Sequence, residues 1–151
     1  YIKKIIMAFI ILCLLKCDEK WPMNEELLSS ASPDISGSWS ISKVEQNNID
    51  ISNNYDFNSF EIVLNYANGL PSDYSINSDA PVPFPAVQNT GSWHFDNELY
   101  PSKIHFVYGD TATSTVDQPL LTTGNDELHL EFNLGCNDVS YIYHFTKNSI
   151  L

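Results

Sequence analysis

From Gly37 onward, apolar and polar residues alternate with period two. Trp39 and Ile41 are interleaved with Ser38, Ser40 and Ser42; Phe60, Ile62, Leu64 and Tyr66 with Ser59, Glu61, Val63 and Asn65. The same rhythm carries Trp93 and Phe95, then Ile104, Phe106 and Tyr108, then Leu128, Leu130, Phe132 and Leu134, then Tyr141, Tyr143 and Phe145. Successive side chains of a strand point to opposite faces, so this pattern predicts half-buried antiparallel strands with one face inward and one wet. Weaker strands fit Asp73–Asn77 and Thr113–Leu121. Turn formers separate the segments: Asn53-Asn54, Asn68-Gly69-Leu70-Pro71, Tyr108-Gly109-Asp110, Gly124-Asn125-Asp126 and Gly135-Cys136-Asn137-Asp138. About eight strands with mostly short connections predict an all-β fold, a meander closed into a barrel, with a β-sandwich as the alternative.

One connection is long. Asp79-Ala80-Pro81-Val82-Pro83-Phe84-Pro85-Ala86 alternates proline with other residues and must run extended. Each proline removes a ladder donor, so the segment is a surface loop and not a central strand. A sharper reading makes it a lid that holds Val82 and Phe84 over a barrel mouth.

The N-terminus departs from the alternation. Lys3-Lys4 precede an unbroken apolar run from Ile5 to Leu15, which polar sequence from Lys16 onward ends. Eleven residues suit the apolar core of an export signal and fall short of the ~20 needed for a membrane-spanning helix. The chain opens on Tyr1, so an initiator is expected upstream. The predicted organisation is a signal at 1–16, an anchor and tether at 17–35, a β-domain at 36–147 and a tail at 148–151.

Charge sharpens the picture. The formal net charge is −12, and none of the seven basic residues is Arg. Cleavage before Cys17 removes three lysines and no acid, which takes the charge to −15 (4 − 19). Such a surface repels phosphate backbones and lacks the guanidinium fork that grips them, so nucleic acid is not an expected partner. Of three cysteines, Cys13 leaves with the signal and Cys17 stands at its end. Cys136 is left without an intramolecular partner, and with no basic neighbour it has little reason to be a thiolate.

Two resemblances follow. Leu14-Leu15-Lys16-Cys17 resembles the bacterial lipobox, and Asp18-Glu19 behind the Cys resembles the surface-export signal of Bacteroidetes lipoproteins. That likeness implies lipidation of Cys17, membrane attachment by two or three acyl chains, and an outer-membrane address. Gly37-Ser38-Trp39 resembles the Gly-x-Trp signature of lipocalins, whose Trp plugs the closed end of the barrel. Ser59-Phe60-Glu61-Ile62, Gly91-Ser92-Trp93, Tyr100 to Phe106, Leu128 to Phe132 and Tyr141 to Phe145 extend the likeness. Together the chain is similar to the lipocalin-like domain of uncharacterised Bacteroidetes outer-membrane lipoproteins. Lipocalins also pack an Arg from near the last strand on that Trp; here no Arg exists, and the cap is expected to be missing.

The candidate chemistry is thin. His94, His105, His129 and His144 fall on the polar phase, hence on the outer face, in two neighbouring pairs if the chain meanders. Two imidazoles fall short of a closed zinc site, and no tight metal-ligand spacing occurs. Glu61 and Glu131 also lie on the polar phase, away from the apolar pocket a catalytic acid needs. No nucleophile elbow, phosphate loop or calcium loop is present. The reading is a non-enzymatic protein without cofactor or metal. It either holds a small hydrophobic ligand or meets a protein or glycan through its surface.

The apolar phase supplies so many rings that an eight-stranded barrel has little void left. A mostly filled interior is expected, with at most a shallow pocket at one end. Tyrosine hydroxyls need partners and favour the ends. The ligand-binding candidates are therefore Tyr66, Tyr108, Tyr141 and Tyr143, ringing a mouth beneath Val82 and Phe84.

Overall fold

A computed structural model describes residues 32–79, 81–86, 88–116, 126–135 and 139–149. The expected signal, Cys17, the turns expected around Gly124-Asn125 and Cys136, and the second half of the Thr113–Leu121 segment lie outside the described residues.

Nine strands appear among the described residues. They are β1 (Gly37–Gln46), β2 (Ile49–Asp50), β3 (Glu61–Ala67), β4 (Leu70–Asn77), β5 (Thr90–Phe95), β6 (Lys103–Tyr108), β7 (Asp110–Val116), β8 (Glu127–Asn133) and β9 (Ser140–Lys147). Each pairs antiparallel with its neighbour in the order β2-β1-β3-β4-β5-β6-β7-β8-β9, and β1 also pairs β9. That last pairing closes an eight-stranded barrel, and β2 is a short extra strand on β1. The barrel is the form adopted, not the sandwich. Closure leaves no long free edge, which suits strands with one apolar face each.

The alternation fixes the interior. Trp39, Ile62, Trp93, Phe106, Leu130 and Tyr143 are all buried in one continuous core, together with Phe60, Phe95, Phe132, Tyr141 and Phe145. In β1 the phase slips once. The register shifts between Ile41 and Lys43, and Ser42 and Lys43 both face solvent before Val44 turns inward. A bulge of this kind bends the strand. It lets β1 pair β3 through Gly37–Ser40 and β2 through Glu45–Gln46 on one side, with β9 along the other.

Turn chemistry matches the backbone where it is local. Asn68 and Gly69 have φ of 55° and 79°, the two positive values of a tight hairpin. They start β4 at Leu70, three residues ahead of the expected Asp73. Pro71 is accommodated beside a register shift between Leu64 and Tyr66. Asn47 and Asn48, with φ of 48° and 64°, make a second such turn between β1 and β2. The turn expected at Asn53-Asn54 forms as well, just after β2, where Asn54 N–H donates to the Ile51 carbonyl at 2.8 Å.

Strand polarity defines two ends. The first end gathers the start of β1, the ends of β3 and β9 and the connection from β5 to β6. The second end, the mouth, gathers the connections β1 to β3, β4 to β5, β6 to β7 and β8 to β9. The first end is sealed. Ile35, in the stretch expected as tether, is 7% exposed and joins the core. The Trp39 Nε1 donates to the Ile35 carbonyl at 2.9 Å, and the Tyr66 hydroxyl donates to the Pro33 carbonyl at 2.6 Å.

The expected gap over Trp39 is filled. Lys147 Nζ, from the last strand, stands 5.5 Å from the centroid of the Trp39 ring. A lysine thus supplies the cation that arginine would have supplied. Gly37 makes room for it: a Cβ there would meet Lys147 Cε at 2.7 Å, and the residue's φ of 124° also disfavours any side chain.

Candidate functional site

At the mouth, the Pro-rich connection between β4 and β5 dips into the barrel. Phe84 enters a cage of rings from five residues on four strands and their flanks. Its centroid lies 5.0 Å from Phe60, 5.5 Å from Phe106, 5.8 Å from Phe132, 5.9 Å from Tyr143 and 6.5 Å from Phe145. Most of these contacts are tilted or edge-on, the arrangements that ring quadrupoles favour. Phe84 nevertheless stays half-buried, so part of its ring faces outward.

Prolines explain how a loop reaches this place. With few backbone donors to satisfy, the segment has little need of a sheet partner and can be held by its acceptors. The Tyr143 hydroxyl donates to the Pro83 carbonyl. Nearer β5, the Tyr74 hydroxyl donates to the Gln88 carbonyl at 3.1 Å, and Ile76 N–H donates to the Asn89 carbonyl at 2.6 Å. Gly91 lets Tyr74 pack here, because a Cβ would meet the Val107 carbonyl oxygen at 2.5 Å and the Tyr74 ring at 2.8 Å.

Between this strap and β4 lies a half-open cleft of about 390 Å³. Phe60, Ile76, Val82, Phe84 and Ala86 give it apolar walls, and Ser78, Asp79 and Asn89 give it a polar rim; more of the exposed lining is polar than apolar. The buried residues of the described interior form one hydrophobic core. A shallow recess at one end with aromatic residues in its wall is what the density of rings leads one to expect.

The six candidate residues divide between the two ends. Val82, Phe84, Tyr141 and Tyr143 gather at the mouth, where Tyr141 lies 6.4 Å from Tyr143 and stacks on Phe132 at 5.6 Å. The Tyr141 hydroxyl accepts from Gln46 Nε2 at 2.9 Å. Tyr66 is at the opposite end, edge-on to Trp93 at 5.3 Å, because β3 runs away from the mouth. Tyr108 does stand at the mouth but past the barrel wall, 54% exposed. The expected ring of four tyrosines is therefore not formed. Burial raises the phenols of Tyr66 and Tyr143 above the tyrosine range, so both remain donors at any physiological pH.

The sequence reading passed over three residues. Tyr74 is buried on β4, inside the weak segment Asp73–Asn77, whose sparse alternation did not mark an inward face. Lys147 was hidden by the search for an arginine. Ser114 is fully buried on β7, and among the described residues its hydroxyl has no hydrogen-bond partner. With Ala112, it makes β7 the small-residue wall that offsets the rings opposite.

The histidines pair on the outer wall. His94 stacks on His105 at 4.9 Å, and His129 meets His144 edge-on at 4.3 Å, each pair directly across two strands. Thr113 Oγ1 lies 3.0 Å from His105 Nδ1, and Glu45 Oε1 lies 3.6 Å from His144 Nε2. Among the described residues, no three His, Cys, Asp or Glu side chains are grouped to hold a metal. Glu61 accepts from Ser38 and Asn148, and Glu131 accepts from Ser140 at 3.1 Å; both carboxylates lie on the polar phase.

A family described as Domain of unknown function (DUF5004) matches residues 20–146 of the chain. No curated protein and no solved structure matches it.

Proposed function

The chain belongs to the DUF5004 family, and from that premise we propose a non-enzymatic, lipocalin-like protein that takes a small apolar ligand into its mouth cleft. The observation that carries this is the cleft itself. Its volume of about 390 Å³ falls within the range of small-molecule sites. Its apolar walls are joined by a rim of Ser78, Asp79 and Asn89 that supplies the larger part of the exposed lining, so an amphipathic ligand suits it better than a pure hydrocarbon. A neutral ligand with one donor group suits a rim that carries a carboxylate. Among the described residues the paired histidines lie on the outer wall and do not line this cleft. The proposal includes an address: Cys17 carries acyl chains and holds the domain to the outer membrane, on the periplasmic side or at the cell surface. The basic-apolar-Cys order and Asp18-Glu19 support that part.

Native mass spectrometry of the purified protein tests the binding claim. A small molecule retained on the intact chain and released on denaturation is expected. A bare chain that also ignores added neutral apolar probes would contradict it. For the address, Cys17→Ser is expected to leave the protein soluble or unprocessed, and its recovery in the membrane fraction at normal mass would overturn the anchor.

A second reading has its own observation. Ile49, Tyr55 and Tyr108 stand exposed at the mouth, a surface suited to a protein or glycan partner.

A further inference from the structure

Phe84 and Pro83 occupy the mouth as a ligand would. Phe84 places one ring among five others, and Pro83 places one carbonyl on a buried hydroxyl. We propose that the cage of Phe60, Phe106, Phe132, Tyr143 and Phe145 is a binding site for small aromatic carbonyl compounds, held shut in the free protein by the chain's own Pro83-Phe84. The inference rests on reading the mouth as the ligand-binding end.

The cage is matched to an arene. Edge-on and tilted contacts at 5.0–6.5 Å are specific to ring quadrupoles, and an alkyl chain of equal area does not reproduce them. The hydroxyl adds a second requirement. Tyr143 is 0% exposed, and the partner the structure gives its O–H is the Pro83 carbonyl. An occupant that displaces the strap without offering an acceptor leaves a buried donor unsatisfied, which weakens binding about tenfold or more. Ring and carbonyl together define the ligand class.

The route in is also visible. The cleft is bounded by Pro81, Val82, Phe84 and Ala86 of the strap itself, so it widens as the strap lifts. Phe84 is half-buried and borders the cleft, so an incoming ring meets it first. A segment tethered at both ends competes at an effective concentration of the order of millimolar. Free ligand must overcome that competition, and its apparent affinity falls by the fraction of time the cage is open.

The test uses N-acetyl-L-phenylalanine amide, whose acetyl carbonyl stands to its ring as Pro83 stands to Phe84. Phe84→Ala is expected to bind the probe about tenfold or more tighter than the unmodified protein in calorimetric titrations. The cyclohexyl analogue is expected to bind worse than the probe, and adding Tyr143→Phe to abolish the advantage of the carbonyl. Equal affinity with and without Phe84, or equal affinity for the cyclohexyl analogue, overturns the proposal. If Phe84→Ala fails to fold, hydrogen exchange on the unmodified protein decides. Saturating probe is expected to speed exchange of the Val82 and Phe84 amides, and unchanged exchange overturns the proposal. A neutral aliphatic alcohol that binds while the probe does not sinks the aromatic cage and leaves the cleft reading standing. Failure of both ligands sinks the two together.

Discussion

Single residues at the sealed end show how a fixed device tolerates a changed side chain. Trp39 is buried, its N–H is satisfied by Ile35, and its ring receives Lys147 across the bare Cα of Gly37. An ammonium partly withdrawn from water over an indole is worth about 0.5–2 kcal/mol. Lys147→Met keeps the apolar stem and removes the charge, so it should lower stability by about that amount in chemical denaturation. A Met variant as stable as the parent would show that the stem alone does the capping. The same scale explains the misplaced tyrosine. Alternation tells which face a side chain takes but not its height along the barrel. Counting strand polarity from Trp39 would have put Tyr66 beside it, because the strand after β1 must return to the same end.

At the scale of elements, the legible strands were those with large aromatics in one phase: β1, β3, β5, β6, β8 and β9. β7 read weakly because Thr, Ala and Ser contrast little, yet its small inward residues are what the crowded barrel requires. β2 and the bulge at Ser42 were invisible, since a one-residue insertion leaves no mark in composition. The Pro-rich strap was recognised as a loop over the mouth. Its insertion was not, because nothing local says that Phe84 finds five rings.

Two connections give direct tests. Gly91 faces the Val107 carbonyl and the Tyr74 ring with no space for a methyl. Gly91→Ala is expected to cost about 1–3 kcal/mol, the range for overpacking a core, and a loss below ~0.5 kcal/mol would show that β5 is free to shift. In the connection from β5 to β6, slight burial pushes the Asp96 carboxyl up. Hydrogen bonds from Ser102 Oγ, Ser102 N–H and Lys103 N–H outweigh that and hold it below the usual range. A carboxylate whose folded value is depressed stabilises above its unfolded value, about 3.9, and loses that contribution as the pH falls further. The melting temperature of Asp96→Asn should therefore lie below the parent at pH 7, and the gap should shrink toward pH 3. A gap independent of pH would place the effect outside this carboxylate.

Among the described residues the molecule is a small barrel with one aromatic-rich core and a strap from its own chain drawn over the unsealed end. The recess at the mouth is the place described for a ligand, and Trp39 and Trp93, both buried, do not line it. A neutral ω-bromo alcohol, whose bromine quenches indole near contact, therefore separates a filled barrel from an open one. In a Trp21→Phe chain, emission comes from Trp39 and Trp93 alone. Saturable binding is expected to shift the methyl resonances of Val82 and Ala86 while indole emission stays constant. Strong quenching with a Kd tighter than ~1 μM would mean that the ligand reaches the interior and that the barrel is not filled.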